Sequence, residues 1–183
     1  MKVTQWMAWE GGVDLVGLTQ PGAQTPNIIL HVARMVHTPV GSAPSGMLLW
    51  QPDAAAPPLL AGFVSSDPAV GAYFGPNIFA GTPFENAPVL DAKIEIVTEL
   101  PGAVGARVTV GGFVFESRFT ELGGLEQATR EPGFFPFTQQ LVEAAGGAAQ
   151  LWINGEEIPV SLPDQTMTGA PAACWSPCGI YAR

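Results

Sequence analysis

Lysine is nearly missing from this 183-residue chain, occurring only at Lys2 and Lys93. Five arginines (Arg34, Arg107, Arg118, Arg130 and Arg183) are scattered along the rest, and 16 acidic residues bring the formal charge to −9. Binding to nucleic acid needs clustered cations to meet phosphates, so that partner class is excluded. An anionic membrane surface is disfavoured for the same reason. The acidity serves solubility. No apolar run approaches the roughly 20 residues of a membrane helix. The stretch MKVTQWMAWEGG has no apolar run ahead of a small-residue cleavage site, which predicts no secretory signal and a cytoplasmic location.

Cysteine is equally scarce. Cys174 and Cys178 sit in CWSPC, and no second Cys/His cluster completes a metal site, so no metal is expected. The pair reads as two reduced thiols, a local disulfide around Ser176-Pro177, or a reactive cysteine. A phosphate loop, a dinucleotide fingerprint, a nucleophile elbow and a metalloprotease helix are all absent, so no cofactor is implied.

What the chain does have is glycine and proline, 22 and 18 residues, between short alternating apolar segments. At 47% hydrophobic residues it can bury a sizeable core. The pattern predicts one mainly β domain, an antiparallel barrel or a two-sheet sandwich, with the barrel preferred. Strands are expected near Val3–Trp9, Val13–Leu18, Ile28–His37, Met47–Gln51, Leu59–Val64, Leu90–Glu99, Arg107–Val110, Phe113–Thr120, Gln150–Ile153 and Glu156–Val160. One helix is expected at Gln139–Ala145, capped by Thr138, stapled by Phe137 on Val142 and stopped by Gly146.

Two turns set register. Gly111-Gly112 pairs Val110 with Phe113 and Arg107 with Glu116, and Asn154-Gly155 pairs Leu151 with Ile158 and Trp152 with Glu157. A turn at Pro101-Gly102-Ala103 would set Ile96 against Val108 and Glu95 against Thr109. The resulting meander has an apolar face and a polar face carrying Lys93, Glu95, Arg107, Thr109, Glu116 and Arg118. That polar face is either solvated and laced with cross-strand ion pairs, or it lines a barrel interior. Inside a barrel, Glu95 and Glu116 beside Arg107 become acid/base and carboxylate-binding candidates.

The segment Phe63–Pro88 is long and aromatic. Tyr73, Phe74, Phe79 and Phe84 must cover the core or wall a pocket, and Glu85 is either a turn cap or a base. His31 and His37 share one predicted strand and one face, too far apart for a common metal. His31, between Leu30 and Val32, is a satisfied buried histidine or a ligand-binding one. The five tryptophans read as core or rim aromatics.

From Asp67 the order runs through a Gly-rich aromatic stretch, GTPFENAP at residues 81–88, an alternating strand and a Gly-Gly hairpin. Gln140-Leu141-Val142 and an Ala149-Gln150-Leu151 strand follow. This order resembles the central part of the acetoacetate decarboxylase-like superfamily, over Ile28 to Leu162. The resemblance implies that fold and a small carbonyl or carboxylate ligand. In that family a Gly-x-Pro-Lys-Lys element supplies a Schiff-base lysine, whereas Phe84 and Glu85 follow Pro83 here. Lys93 lies eight residues further on, beside Asp91 and Glu95 on one strand face. Schiff-base chemistry is therefore not implied.

Three functions are compatible with these residues. The first is a small-molecule-binding barrel with its pocket between the meander and Phe63–Pro88, using His31, Tyr73, Phe84, Glu95, Arg107 and Arg118. The second is a lyase or isomerase with Glu85 or Glu116 as base and Arg107 or Arg118 on a substrate carboxylate. The third is an interaction or assembly protein with exposed tryptophans, and self-association into a homo-oligomer remains open.

Overall fold

The structure, a computed structural model, describes residues 5–164 and 166–183. Lys2 and the start of the strand expected at Val3–Trp9 lie outside the described residues. The rest is mainly β, with a single short α-helix. The strands are β1 (Trp6–Gly17), β2 (Ile28–Thr38), β3 (Gly41–Trp50), β4 (Leu60–Ser65), β5 (Val89–Glu99) and β6 (Ala103–Val110). They continue as β7 (Phe113–Leu122), β8 (Glu126–Arg130), β9 (Thr138–Ile153), β10 (Glu156–Ile158) and β11 (Ala173–Ala182).

Strand order is β10-β9-β11-β1-β2-β3-β4-β5-β6-β7, and β7 pairs again with β9. The ladder thus returns on itself through the two halves of β9. Residues 138–145 pair with β11, and residues 146–153 pair with β7. The result is one large closed-back sheet rather than a regular barrel. Its enclosed side holds a wholly apolar cluster that includes Leu15, Leu30, Leu48, Val108, Phe115 and Phe119. Burying each such side chain contributes roughly 1.5–3 kcal/mol.

The two hairpins fold as their turn residues predict. Gly111-Gly112 and Asn154-Gly155 all have positive φ, and Arg107 faces Glu116 while Trp152 faces Glu157. The β5–β6 register differs by two residues from expectation: Ile94 faces Val108 and Glu95 faces Arg107. An even slip keeps every side chain on its face, so burial alone does not distinguish the two registers.

The helix expected at Gln139–Ala145 is corrected, since those residues lie in β9. Gln139, Leu141 and Glu143 alternate onto one buried side. Two of those three positions are polar, which hid the period of two, and pairing with β8 and β11 overrides helix propensity. The α-helix is instead α1 (Pro68–Tyr73), inside the segment expected as a loop. Asp67 caps it through Ala69 N–H at 2.8 Å, and a π-helical turn, Phe74–Ile78, continues it.

This helical segment covers a second apolar cluster on the other side of the sheet. That cluster includes Trp9, Val36, Phe63, Phe74, Phe137 and Tyr181. The strands change cluster part-way along. Met7 and Trp9 of β1 join the second cluster, whereas Val13 and Leu15, beyond the left-handed Gly11 (φ 62°), join the first. In β2 the pairing shifts between Ala33 and Val36, so His31 and His37 fall on opposite faces and not on a shared one.

Candidate functional site

Antiparallel pairing lines up Cys174 of β11, Asp14 of β1 and His31 of β2 as direct neighbours across three strands. All three side chains turn toward the second cluster, opposite to Ala173, Val13 and Leu30 beside them. Tyr181 of β11 and Gln139 and Glu143 of β9 join them. Arg130 reaches in from β8.

The hydrogen bonds run in one direction. Arg130 Nη1 donates to Gln139 Oε1 (3.4 Å), and Gln139 Nε2 donates to the Tyr181 oxygen (3.2 Å). The Tyr181 hydroxyl lies 3.3 Å from His31 Nε2, and His31 Nδ1 is paired with Asp14. Because the Asp14 carboxylate can only accept, Nδ1 carries the proton and Nε2 faces the hydroxyl. Arg130 also pairs with Glu143, whose second oxygen accepts from the Cys174 thiol at 3.5 Å. Aromatic rings hold the phenol in place: Phe137 stacks on Tyr181 at 4.3 Å between centroids and Trp9 lies at 4.9 Å. Trp9 is itself fixed by its N–H to Ser176 Oγ (3.1 Å), and a Cβ on Gly179 would come within 2.1 Å of its ring.

These surroundings set protonation. Burial lowers the His31 pKa, but the charge and hydrogen bond of Asp14 outweigh it and the net direction is upward. Burial, with Asp14 close by, pushes the Tyr181 phenol well above its ordinary range, so it remains a hydroxyl donor. Burial and the carboxylates of Asp14 and Glu143 likewise push the Cys174 thiol far up. A thiol held protonated is no nucleophile. Both cysteines are free, Cys174 buried and Cys178 exposed.

A cleft beside His31 is lined by Met7, Trp9, Gly12, Asp14, Ala33 and Ser45 and encloses about 20 Å³, room for one water molecule. Its outer side is open, and 37% of the His31 side chain meets solvent. A wide, open depression of about 500 Å³ does lie between the meander and Phe63–Pro88, lined by Ser66, Asp91, Lys93, Thr109 and Gly111, whereas the smaller cleft at His31 lies over β1, β2 and β3.

The other expected residues divide into two groups. Tyr73 is buried in the second cluster and accepts from Trp6 N–H (3.3 Å), and Phe84 packs on Phe79 and Phe135. Neither lines the cleft. Glu95, Arg107, Glu116 and Arg118 lie on the outer side of the meander, which corrects the interior placement. Arg107 pairs with Glu116 (3.0 Å), Arg118 with Glu99 (2.9 Å) and Lys93 with Glu95 (3.1 Å), all open to water. Glu85 is exposed and closes a turn by accepting from Gly81 N–H (2.7 Å). The tryptophans are buried or half-buried, so the contact surface of exposed tryptophans is corrected as well.

Sequence reading missed Asp14, Arg130, Gln139, Glu143, Cys174 and Tyr181 at this site. A legible signal did exist: Asp14 in GGVDLVG and Glu143 in QLVEAA are lone carboxylates inside otherwise apolar strands. Among the described residues no group of His, Cys, Asp and Glu is arranged to hold a metal ion. No helix is long and apolar enough to cross a membrane among them either. No family model, curated protein or solved structure matches this chain.

Proposed function

We propose that this protein binds a small carbonyl or carboxylate compound at His31. The observation that supports this reading is the Asp14–His31–Tyr181 chain at the open side of a cleft, with one imidazole edge in solvent. Asp14 favours the protonated ring, whose Nε2–H then donates to the Tyr181 oxygen; the Tyr181 hydroxyl no longer donates to Nε2 and is left to donate to an oxygen of the ligand. Only the acceptor oxygen of a ligand fits the enclosed space, so the remainder lies in the open mouth. The protein is then a lysine-less relative of the acetoacetate decarboxylase fold, with Lys93 tied to Glu95 on the outer face of β5.

A second reading, lyase or isomerase chemistry, draws on the same pair of residues. A histidine oriented by a carboxylate, 3.3 Å from a phenol, can pass a proton to or from a bound substrate. In that reading His31 takes the role first considered for Glu85 and Glu116.

Titration of acetate and acetone into the protein, followed by NMR of the histidine ring protons, tests the binding site. His31 resonances are expected to shift in the wild-type protein, and the response to weaken in Asp14→Asn. Unchanged His31 resonances up to high millimolar ligand would remove the site.

A further inference from the structure

The opposite face of the same three strands carries a separate constellation. His37 of β2 and Ser42 of β3 are direct cross-strand partners beside the two-residue turn Pro39-Val40. Ser42 Oγ lies 2.8 Å from His37 Nδ1. On the other side of the ring, Nε2 lies 2.9 Å from Glu10 Oε1 of β1. Arg34 steadies the second Glu10 oxygen at 3.4 Å. Trp9, Val36 and Ala43, adjacent in sequence to these three residues, all point into the second cluster. Strand alternation therefore places Glu10, Ser42 and His37 together on the other face, away from the His31 cleft.

The tautomer follows from the partners. The hydrogen bond from His37, aided by the charges of His37 and Arg34, holds Glu10 below the usual carboxylate range. Its carboxylate accepts only, so neutral His37 carries its proton on Nε2 and presents a lone pair at Nδ1. Ser42 must then donate its hydroxyl proton to Nδ1. A hydroxyl, a base within 2.6–3.2 Å and a carboxylate orienting that base are the three parts of an activated nucleophile.

We propose that Ser42, His37 and Glu10 form a second, hydrolytic site that cleaves small carboxylic esters. Ser42 Oγ attacks the ester carbonyl carbon and its proton passes to His37 Nδ1. The carbon–oxygen bond to the alcohol breaks, and the leaving alkoxide takes the proton from His37. Water then attacks the acyl-serine, giving its proton to Nδ1. Ser42 is released with that proton restored, and the net reaction is ester plus water to acid plus alcohol. Ser42 and Glu10 are exposed, so water is not excluded and the transition state gains little from a low-dielectric setting. The substrate class is accordingly esters with good leaving groups, such as aryl esters. This site is independent of any ligand at His31.

The test uses p-nitrophenyl acetate with the whole protein. Hydrolysis above buffer is expected, with an acetyl group trapped on the Ser42 peptide by mass spectrometry after a brief reaction. Ser42→Ala should abolish both signals, and Glu10→Gln should slow turnover about 100-fold or more through the wrong His37 tautomer. Unchanged melting of each variant shows that folding is not at issue, since all three side chains sit outside both clusters. Acetylation confined to Lys93 or the chain terminus, or wild-type turnover in Ser42→Ala, overturns the proposal.

Discussion

One sheet has two very different sides. The enclosed side is filled by aliphatic residues, phenylalanines and Trp50 drawn from nine strands, with no charged group among them. The second side mixes aromatic rings with a connected set of polar groups running from Arg130 to Asp14. Both sides bury side chains, but only the second buries charge, and it does so with partners at each step. An apolar interior needs only volume and shape. A buried polar network must have every member satisfied, or it costs more than it contributes. The first side is therefore a purely apolar interior, and the second is where buried polar groups are held in a fixed arrangement.

The sharpest way to break this contrast is to damage the enclosed side. Phe119→Ala, at a fully buried position, is expected to destabilise by about 3–5 kcal/mol in denaturant unfolding and to leave His31 titration unchanged in the protein that remains folded.

Next comes the polar side. Arg130→Met leaves Glu143 buried without its cation and should cost about 3 kcal/mol. Pairing it with Glu143→Leu should recover most of that loss, because the stranded charge is gone. A double variant as unstable as the single one would show that the network's value lies in packing and not in charge.

A smaller effect tests the electrostatics alone. In Asp14→Asn the His31 midpoint, followed by NMR, should fall, because the charge that raises it is removed. The raised pKa also has a stability consequence. The folded state binds the proton more tightly than the unfolded chain, so the contribution is complete below the unfolded pKa and is lost as pH rises through the folded one. The wild-type protein should lose this increment as pH rises above the ordinary imidazole range, and Asp14→Asn should not. The opposite slope would mean that burial and not Asp14 governs His31.

The smallest expected effect is on the outer side of the meander. Arg107→Ala removes the exposed pair with Glu116 and should change stability by less than about 1 kcal/mol, with His31 unaffected.

Much of the meander and both hairpins could be read from residues alone, because a turn such as Asn154-Gly155 is specified by local backbone preference. His31 was also legible as a candidate, from its place between Leu30 and Val32. Its partners were not. Asp14 lies 17 positions away in sequence, and Tyr181 a further 150 in the other direction; only pairing of β11 with β1 and β1 with β2 brings them to His31. The charged residues that did stand out, Glu95, Arg107, Glu116 and Arg118, stood out because they alternate on a strand. Alternation records that one face is polar, and a solvated face satisfies it as well as a lined pocket does.

By itself, then, the sequence determined the β class and the two hairpin turns, because each rests on local chemistry. The tertiary structure decided which face of each strand is enclosed, where β9 divides between two partners, and that the two histidines of β2 look in opposite directions. Those outcomes depend on a glycine kink, a shift in pairing and buried polar positions that satisfy one another across the sheet, and none of them is visible until distant strands meet.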